Sequence, residues 1–223
     1  MIKLSRSKLE LFLDCPRCFW FDMKKGVKRP PPAPYTINSA IDSLLKKEFD
    51  IHRENGSAHD IIRKYKLDLI PYKCPQIDTW RHNFTGVGFH HKVTDFWVYG
   101  AVDDVWVNPQ GELIVVDYKA TGAKEHRIYD QYRRQMEIYQ WLLTQNKYKV
   151  SQTGYFLFAK VNKEEGFAGG KLSFELLLEP LEGNNSWVEG ALIKAKRNLE
   201  GAAPAPKDSC VYCQFSLAHC KEA

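Results

Sequence analysis

The sequence predicts an α/β fold in which a central mixed β-sheet is flanked by helices. Residues 93–107 and 113–119 are rich in Val, Ile, Trp and Tyr, which is typical of strands. Residues 131–145 contain no Gly or Pro and carry apolar side chains at three- and four-residue spacing, which predicts an amphipathic helix. With 223 residues, of which 44% are hydrophobic, the chain can bury one good core. We therefore expect a single domain.

The N-terminal part of the chain combines cysteines, a proline-rich connector and a helix. Cys15 and Cys18 frame a Cys-Pro-Arg-Cys sequence, and residues 28–34 form a stiff link with four prolines. A helix is predicted to follow, because apolar residues there form one stripe: Ile37, Ile41, Leu44, Leu45 and Phe49. This helix also contains Asp42. Residues from about 54 to 87 then suggest a helical insertion.

The segment between the two clearest strands predicts the register of a hairpin. Proline at the first turn position and Gly111 at the left-handed position after it favour a three-residue loop with a bulge. Asn108 then faces Glu112, so the numbers of paired residues sum to 220. In this register Asp103 lies opposite Asp117, whereas a slip by one residue would separate the two carboxylates.

Asp103, Asp117 and Lys119 therefore share one face of the predicted hairpin. Two carboxylates hold a divalent ion, which polarises a phosphate and lowers the pKa of a bound water. A lysine beside them stabilises developing negative charge. Asp104 is the alternative ligand, but the alternation of side chains favours Asp103. A solvated surface hairpin is the other interpretation, although Asp117 ends an apolar run, where an unpaired carboxylate is costly.

Further elements follow the hairpin in order. In the helix of residues 131–145, Gln135 and Tyr139 lie one turn apart and are adjacent. Residues 147–159 and 171–179 are expected to extend the sheet, and residues 184–199 are expected to form a helix.

The C-terminal tail carries Cys210, Cys213 and Cys220 in the pattern Cys-x2-Cys-x6-Cys. The first twelve residues are charged and lack a long apolar run, so we expect no signal peptide and a cytoplasmic location. Thiols clustered in a reducing compartment favour metal binding over disulfides. Four thiolates suit a 4Fe–4S cluster or structural zinc, and the spacing alone does not choose between them. Cys18 is interpreted as a small buried apolar residue.

Three motifs together resemble the PD-(D/E)XK nuclease superfamily. They are a Gly-x-(Ile/Val)-Asp segment ending at Asp103, the Asp-x-Lys segment from Asp117 to Lys119, and the Gln-x-x-x-Tyr segment from Gln135 to Tyr139. The closer resemblance is to the RecB-like branch, which includes CRISPR-associated exonucleases carrying an iron–sulfur cluster. This resemblance implies a restriction-endonuclease-like core over residues 36–199.

The resemblance also implies the roles of the site residues. Asp103, Asp117 and the backbone carbonyl of Tyr118 would hold Mg or Mn, and Lys119 would orient the attacking water. Gln135 and Tyr139 would position the strand. Many RecB-like nucleases carry a histidine ligand on the N-terminal helix, where this sequence has Asp42. Aspartate is a hard oxygen ligand that suits either ion, so Asp42 is expected to be a further ligand.

For the cysteines, the resemblance implies a 4Fe–4S cluster that clasps residues 1–27 to residues 201–223. Its ligands would be Cys15, Cys210, Cys213 and Cys220. Binding of such a group contributes directly to the free energy of folding.

The expected function is metal-dependent hydrolysis of DNA phosphodiesters, by an exonuclease acting on single strands or DNA ends. Lys124, Arg133 and Arg134 are expected to contact DNA, and the net charge of +5 is compatible with that. Protein partners in repair or CRISPR-type systems would fit, whereas no apolar stretch is long enough to span a membrane. The main alternative is a catalytically silent nucleic-acid-binding or assembly subunit. A zinc-clasped protein with no nuclease role is a third hypothesis.

Overall fold

The computed structural model of the protein describes residues 1–31, 36–125 and 127–222, and only the backbone of residues 168 and 219–222. The chain divides into two compact units. The first unit contains Met1–Ala33, His90–Tyr99 and Ser186–Ala223, and the second contains Pro34–Phe89 and Gly100–Asn185.

The elements of the described residues are numbered in chain order. The strands are β1 (Ile2–Ser5), β2 (Ile70–Pro71), β3 (Val87–His91), β4 (Phe96–Gly100), β5 (Asp104–Val107), β6 (Leu113–Thr121), β7 (Thr153–Val161) and β8 (Phe174–Glu182). The helices are α1 (Arg6–Asp14), α2 (Pro16–Lys25), α3 (Thr36–Asn55), α4 (Asp60–Lys64), α5 (Ile77–Arg81), α6 (Asp130–Gln145), α7 (Val188–Glu200) and α8 (Val211–Glu222). Short 3-10 turns lie at Ala168–Gly170 and Asn185–Trp187.

The second unit is built on a five-stranded mixed sheet in the order β2-β5-β6-β7-β8. Strands β6 and β7 are parallel, whereas β5 pairs antiparallel with β6 and β8 pairs antiparallel with β7. Helices α3 and α6 both contact β6. Phe49 of α3 packs in one buried cluster with Trp106, Val116 and Leu157 of the sheet. The predicted mixed sheet flanked by helices is therefore confirmed.

The hairpin between β5 and β6 has the predicted register. Val105 pairs with Val115, and the numbers of every paired position sum to 220. The backbone N–H of Asn108 donates to the backbone carbonyl of Glu112 at 3.2 Å, and Gly111 has a φ of 73°. Glycine reaches this left-handed conformation without steric cost, so the loop length fixes the register.

The strand predicted over residues 93–107 is interrupted twice. Val93 lies in the turn before β4, where Asp95 has a φ of 53°, and residues 101–103 separate β4 from β5. The second break has a local cause, because Asp103 Oδ2 accepts the Tyr118 N–H at 3.0 Å and takes the place of a backbone acceptor. The break puts β4 and β5 in different sheets.

Helix α3 buries a narrower face than the sequence predicts. Leu45 and Phe49 are buried, whereas Ile37 and Leu44 are each 63% exposed. Arg53 is buried on the same helix. The apolar pattern predicts the helix correctly, but a charged residue takes part of its inner face.

The first unit contains both ends of the chain. Residues of β1 pair with β4 in parallel. Helices α1, α2 and α7 pack against one another. Among the described residues, no helix combines the length and the apolar character needed to cross a membrane.

A buried ion-pair network surrounds Asp104 at the start of β5. The Asp104 side chain is completely buried and pairs with Arg53 of α3 and with Arg81 of α5. It also accepts the Tyr118 hydroxyl at 2.7 Å. Burial and the charge of Asp104 raise the pKa of Tyr118 well above its usual value, so the phenol remains a donor. Asp104 thus joins two helices to two adjacent strands.

We expect Asp104→Ala to lower the free energy of unfolding by about 3–5 kcal/mol, because it leaves two buried guanidinium groups without their shared carboxylate. Urea denaturation measures this change. Asp60→Ala is the control, since Asp60 forms an exposed ion pair with Arg63. The control should change stability by less than about 0.5 kcal/mol. Equal effects of the two substitutions would contradict a structural role for Asp104.

Candidate functional site

The site begins at Asp117, where the apolar run of β6 ends. The Asp117 side chain is fully buried and forms an ion pair with Lys119, two residues further along the same strand. Asp117 Oδ1 accepts a hydrogen bond from Gln135 Nε2 at 2.7 Å. Because side chains alternate along a strand, Asp117 and Lys119 project from the same face.

Asp103 lies beside this pair, just before β5. Its Oδ2 atom accepts the Tyr118 N–H, and its Oδ1 atom lies 3.2 Å from Lys46 Nζ. The adjacent Asp104 side chain is instead occupied by the buried ion-pair network. Asp103 is therefore the more accessible of the two carboxylates, and its role as a metal ligand stays a prediction.

Asp42 reaches the same region from helix α3. Asp42 Oδ2 lies 2.8 Å from Lys46 Nζ, so Lys46 bridges Asp42 and Asp103. Burial raises the pKa of Asp42, Asp103 raises it further, and the hydrogen bond and charge of Lys46 oppose the change. Lys46 therefore links two of the predicted metal ligands, Asp42 and Asp103.

Lys46 is a site residue that sequence reasoning missed. The only local signal is its position four residues after Asp42 on the same helix, a spacing that is common for exposed ion pairs. Burial alone would lower the pKa of Lys46, but Asp103 and Asp42 raise it above its usual value. Lys46 is therefore positively charged and lies where carboxylates converge.

The Lys119 side chain is largely buried and lies beside an aromatic ring. Its Nζ atom is 4.7 Å from the centre of the Tyr132 ring. Burial would lower the pKa of Lys119, but Asp117 and Asp103 together raise it, so the side chain keeps its charge. A small pocket of about 110 Å³ adjoins this group and is lined by residues that include Asp42, Tyr118, Lys119 and Tyr132.

Helix α6 places Gln135 and Tyr139 next to the carboxylates. Gln135 Nε2 also donates to the Tyr139 hydroxyl at 3.1 Å, so the helix is connected to Asp117 through an amide.

Of the basic residues predicted to contact DNA, Arg133 is exposed and donates to the Glu182 carbonyl at 3.3 Å. Lys124 is exposed in the segment after β6, and Arg134 is half-buried on α6.

The donor set fits a hard divalent ion. Asp42, Asp103 and Asp117 supply carboxylate oxygens, and the Tyr118 carbonyl belongs to the residue between Asp117 and Lys119. Oxygen donors of this kind suit Mg and Mn. Two ammonium groups, of Lys46 and Lys119, balance part of the negative charge. The arrangement can bind a cation and present a positive charge beside it.

A second candidate metal site lies in the first unit, where thiols from both ends of the chain meet. Cys15, Cys18, Cys210 and Cys213 have sulfur atoms that all lie within 4.8 Å of one another. The cysteines with described side chains are free thiols. The predicted meeting of the terminal segments at a group of cysteines is confirmed, whereas the binding of a metal and its nature stay predictions.

The membership of this cluster differs in part from the prediction. The sequence suggests a merely apolar role for Cys18, but its sulfur lies 3.7 Å from that of Cys210 and 3.9 Å from that of Cys213. The Cys220 side chain lies outside the described residues. Its role as a ligand therefore stays a prediction, while the Cys18 sulfur lies within the group of four described thiols.

The surroundings of the thiols shift their pKa values in different directions. Burial raises the pKa of Cys18 to about 12, although Arg29 opposes the change. Burial also acts to raise the pKa of Cys210, but the Cys213 N–H and the neighbouring thiols lower it to about 7. A bound cation would favour the deprotonated form of every thiol, so metal binding and thiol ionisation are coupled.

Oxygen ligands beside an ammonium group are typical of metal-dependent phosphodiesterases, in which they bind the ion and stabilise negative charge on the phosphate. Residues 38–218 match the model of the PD-(D/E)XK nuclease superfamily. The chain belongs to this superfamily, and its mixed sheet is consistent with that fold. Membership supports a metal-dependent nuclease and hydrolase in general.

Among solved structures, the crystal structure of SSO0001 is similar to this chain with 13% identity and a TM-score of 0.47. The match covers 96% of this chain and 84% of that one. A search of curated proteins gives no match.

We expect Lys46→Met to strengthen Mn binding on the order of tenfold, because the substitution removes a positive charge from between Asp42 and Asp103. Titration calorimetry with Mn measures the affinity. Lys47→Met is the matched control, since Lys47 is the next residue on α3 and is exposed. Unchanged or weaker binding in Lys46→Met alone would contradict competition between Lys46 and the ion.

Proposed function

We propose that the protein is a Mg- or Mn-dependent deoxyribonuclease that acts as an exonuclease on single strands or DNA ends. The observation that carries this proposal is the grouping of Asp103, Asp117 and Lys119 at the junction of β5 and β6. The geometry supports a metal-dependent nuclease in general. The preference for DNA and for ends rests on the resemblance to RecB-like exonucleases.

In this proposal the carboxylates of Asp103 and Asp117 and the Tyr118 carbonyl hold the ion, with Asp42 as a further ligand. A bound divalent ion would polarise the scissile phosphate and lower the pKa of a coordinated water. The buried position of Asp117 favours ion binding, because a carboxylate removed from water gains from a nearby cation.

Lys119 orients the attacking water and stabilises negative charge that develops on the phosphate. Its charged state follows from its two carboxylate neighbours. Gln135 holds the Asp117 carboxylate in place through its amide, and Tyr139 holds that amide. These two α6 residues thus position a ligand and lie where a DNA strand would approach.

Lys124, Arg133 and Arg134 are proposed to contact the DNA backbone. The first lies after β6 and the other two lie near the start of α6, which also carries Gln135. Positive side chains next to a catalytic centre attract phosphates and release counterions on binding. We also propose a cytoplasmic protein whose main partner is DNA, with protein partners of the repair or CRISPR type.

The alternative is a catalytically silent subunit that binds nucleic acid or supports an assembly. One observation favours it: Lys46 pairs with both Asp42 and Asp103 and competes with an ion for them. In that case the ammonium group of Lys46 would neutralise the two carboxylates in place of a metal ion. The alternative predicts DNA binding that does not respond to Mg or Mn.

End-labelled linear DNA tests the proposed activity. We expect degradation that requires Mg or Mn and that Asp117→Asn reduces on the order of 100-fold or more, because the substitution removes a charged ligand. Asp60→Asn is the control, since it changes an exposed aspartate on α4 in the same way.

A circular single strand of the same sequence separates the two kinds of nuclease. An exonuclease leaves the circle intact, whereas cleavage of the circle overturns the exonuclease part of the proposal. No cleavage of any substrate by protein that binds Mn in calorimetry would support the silent subunit instead.

The combined substitution of Lys124, Arg133 and Arg134 by Ala should weaken binding of single-stranded DNA and make it less sensitive to salt. The slope of log affinity against log salt should fall by about 1 for each phosphate that the variant no longer neutralises. The variant with Ala at Arg63, Lys64 and Lys66 removes the same charge from exposed positions at α4. Similar slopes for both variants would contradict a specific role of the first three residues in binding DNA.

A further inference from the structure

The four described thiols of the first unit are close enough to bind one ion together. The sulfur atoms of Cys15 and Cys213 are 3.6 Å apart. The sulfur of Cys18 is 3.7 Å from that of Cys210 and 3.9 Å from that of Cys213. All four sulfur atoms lie within 4.8 Å of one another.

These separations match the edges of a tetrahedron around a single metal ion. A zinc–sulfur bond is about 2.3 Å long, and the edge of a tetrahedron is about 1.63 times the distance from centre to corner, which gives about 3.8 Å between sulfur atoms. A 4Fe–4S cluster binds each thiolate on a different iron. The path between two of its sulfur ligands therefore includes an iron–iron distance as well as two iron–sulfur bonds. These ligands lie further apart than the ligands of a single ion.

The two halves of the site repeat the same local structure. Cys15 caps the N-terminus of α2, and its sulfur accepts the Cys18 N–H at 3.5 Å. Cys210 directly precedes α8, and Cys213 lies in the first turn of that helix. Each Cys-x2-Cys pair thus presents two thiols at the start of a helix, where the helix dipole favours negative charge.

Arg29 supplies positive charge next to the thiols. Its Nη2 atom donates to the Cys210 sulfur at 3.2 Å, and its Nη1 atom donates to Asp14 at 2.6 Å. The guanidinium group lies over the Tyr212 ring, 4.5 Å from its centre. Four thiolates around a divalent ion carry a net charge of about −2, which a neighbouring guanidinium offsets.

We propose that Cys15, Cys18, Cys210 and Cys213 bind one zinc ion, as a structural site that ties α2 to α8. Four protein ligands close the tetrahedron, so the ion has no open position for catalysis. This assignment differs from the 4Fe–4S cluster that the family resemblance implies in both metal and ligands. It uses Cys18 and leaves Cys220 outside the site.

Metal analysis of protein produced with both iron and zinc in the medium, and purified without oxygen, tests the proposal. We expect one zinc per chain, no acid-labile sulfide and no broad visible absorbance. Cys18→Ser should lose the zinc, and Cys220→Ser should keep it. Cys220 is a matched control because it belongs to the same C-terminal cysteine motif and to helix α8.

Any stoichiometry other than one zinc per chain overturns the assignment, as does a cluster that survives Cys18→Ser and disappears in Cys220→Ser. If Cys18→Ser fails to fold, X-ray absorption at the zinc edge of the unaltered protein decides the question. Four sulfur neighbours at about 2.3 Å support the site, whereas nitrogen or oxygen neighbours overturn it. Neither measurement depends on nuclease activity.

Discussion

The buried carboxylate of Asp104 is the interaction on which the second unit depends. Arg53 of α3 and Arg81 of α5 both pair with it, and the Tyr118 hydroxyl of β6 donates to it. Removing charged groups from water costs free energy, and their ion pairs and hydrogen bonds must offset this cost. The positions of the two arginines and the tyrosine therefore depend on one another. This network attaches α3 to the sheet and, with it, the segment of α3 that carries Asp42.

Attachment of α3 brings Lys46, which pairs with Asp42 of the same helix, to Asp103 beside the hairpin. Asp103 and Asp104 are consecutive, yet one faces the site and the other is enclosed by guanidinium groups. The same short segment thus supplies a candidate ligand and its structural support. Arg81 strengthens the connection, because its Nε atom donates to the Asp103 carbonyl at 3.0 Å while its terminal nitrogen pairs with Asp104.

The two candidate metal sites differ in the chemistry of their donor atoms. The carboxylates of the second unit are hard oxygen donors with two ammonium groups among them, an arrangement suited to an ion that binds substrate. The thiols of the first unit are soft donors that enclose a single position. Binding at the carboxylates would serve the reaction, whereas binding at the thiols would stabilise the fold.

Features that depend on local geometry can be predicted from the amino-acid sequence. Loop length and Gly111 set the β5–β6 register, and alternation then placed Asp117 and Lys119 on one face. Helical spacing likewise made Gln135 a neighbour of Tyr139.

Contacts between distant segments depend instead on the tertiary structure. Lys46 meets Asp103 across 57 positions of the chain, and Cys18 meets Cys210 across 192. Such contacts arise from the packing of whole elements, which periodicity along the chain does not encode. For the same reason Ile37 and Leu44 look like core residues in the pattern but are exposed in the fold, whereas Arg53 of the same helix is buried.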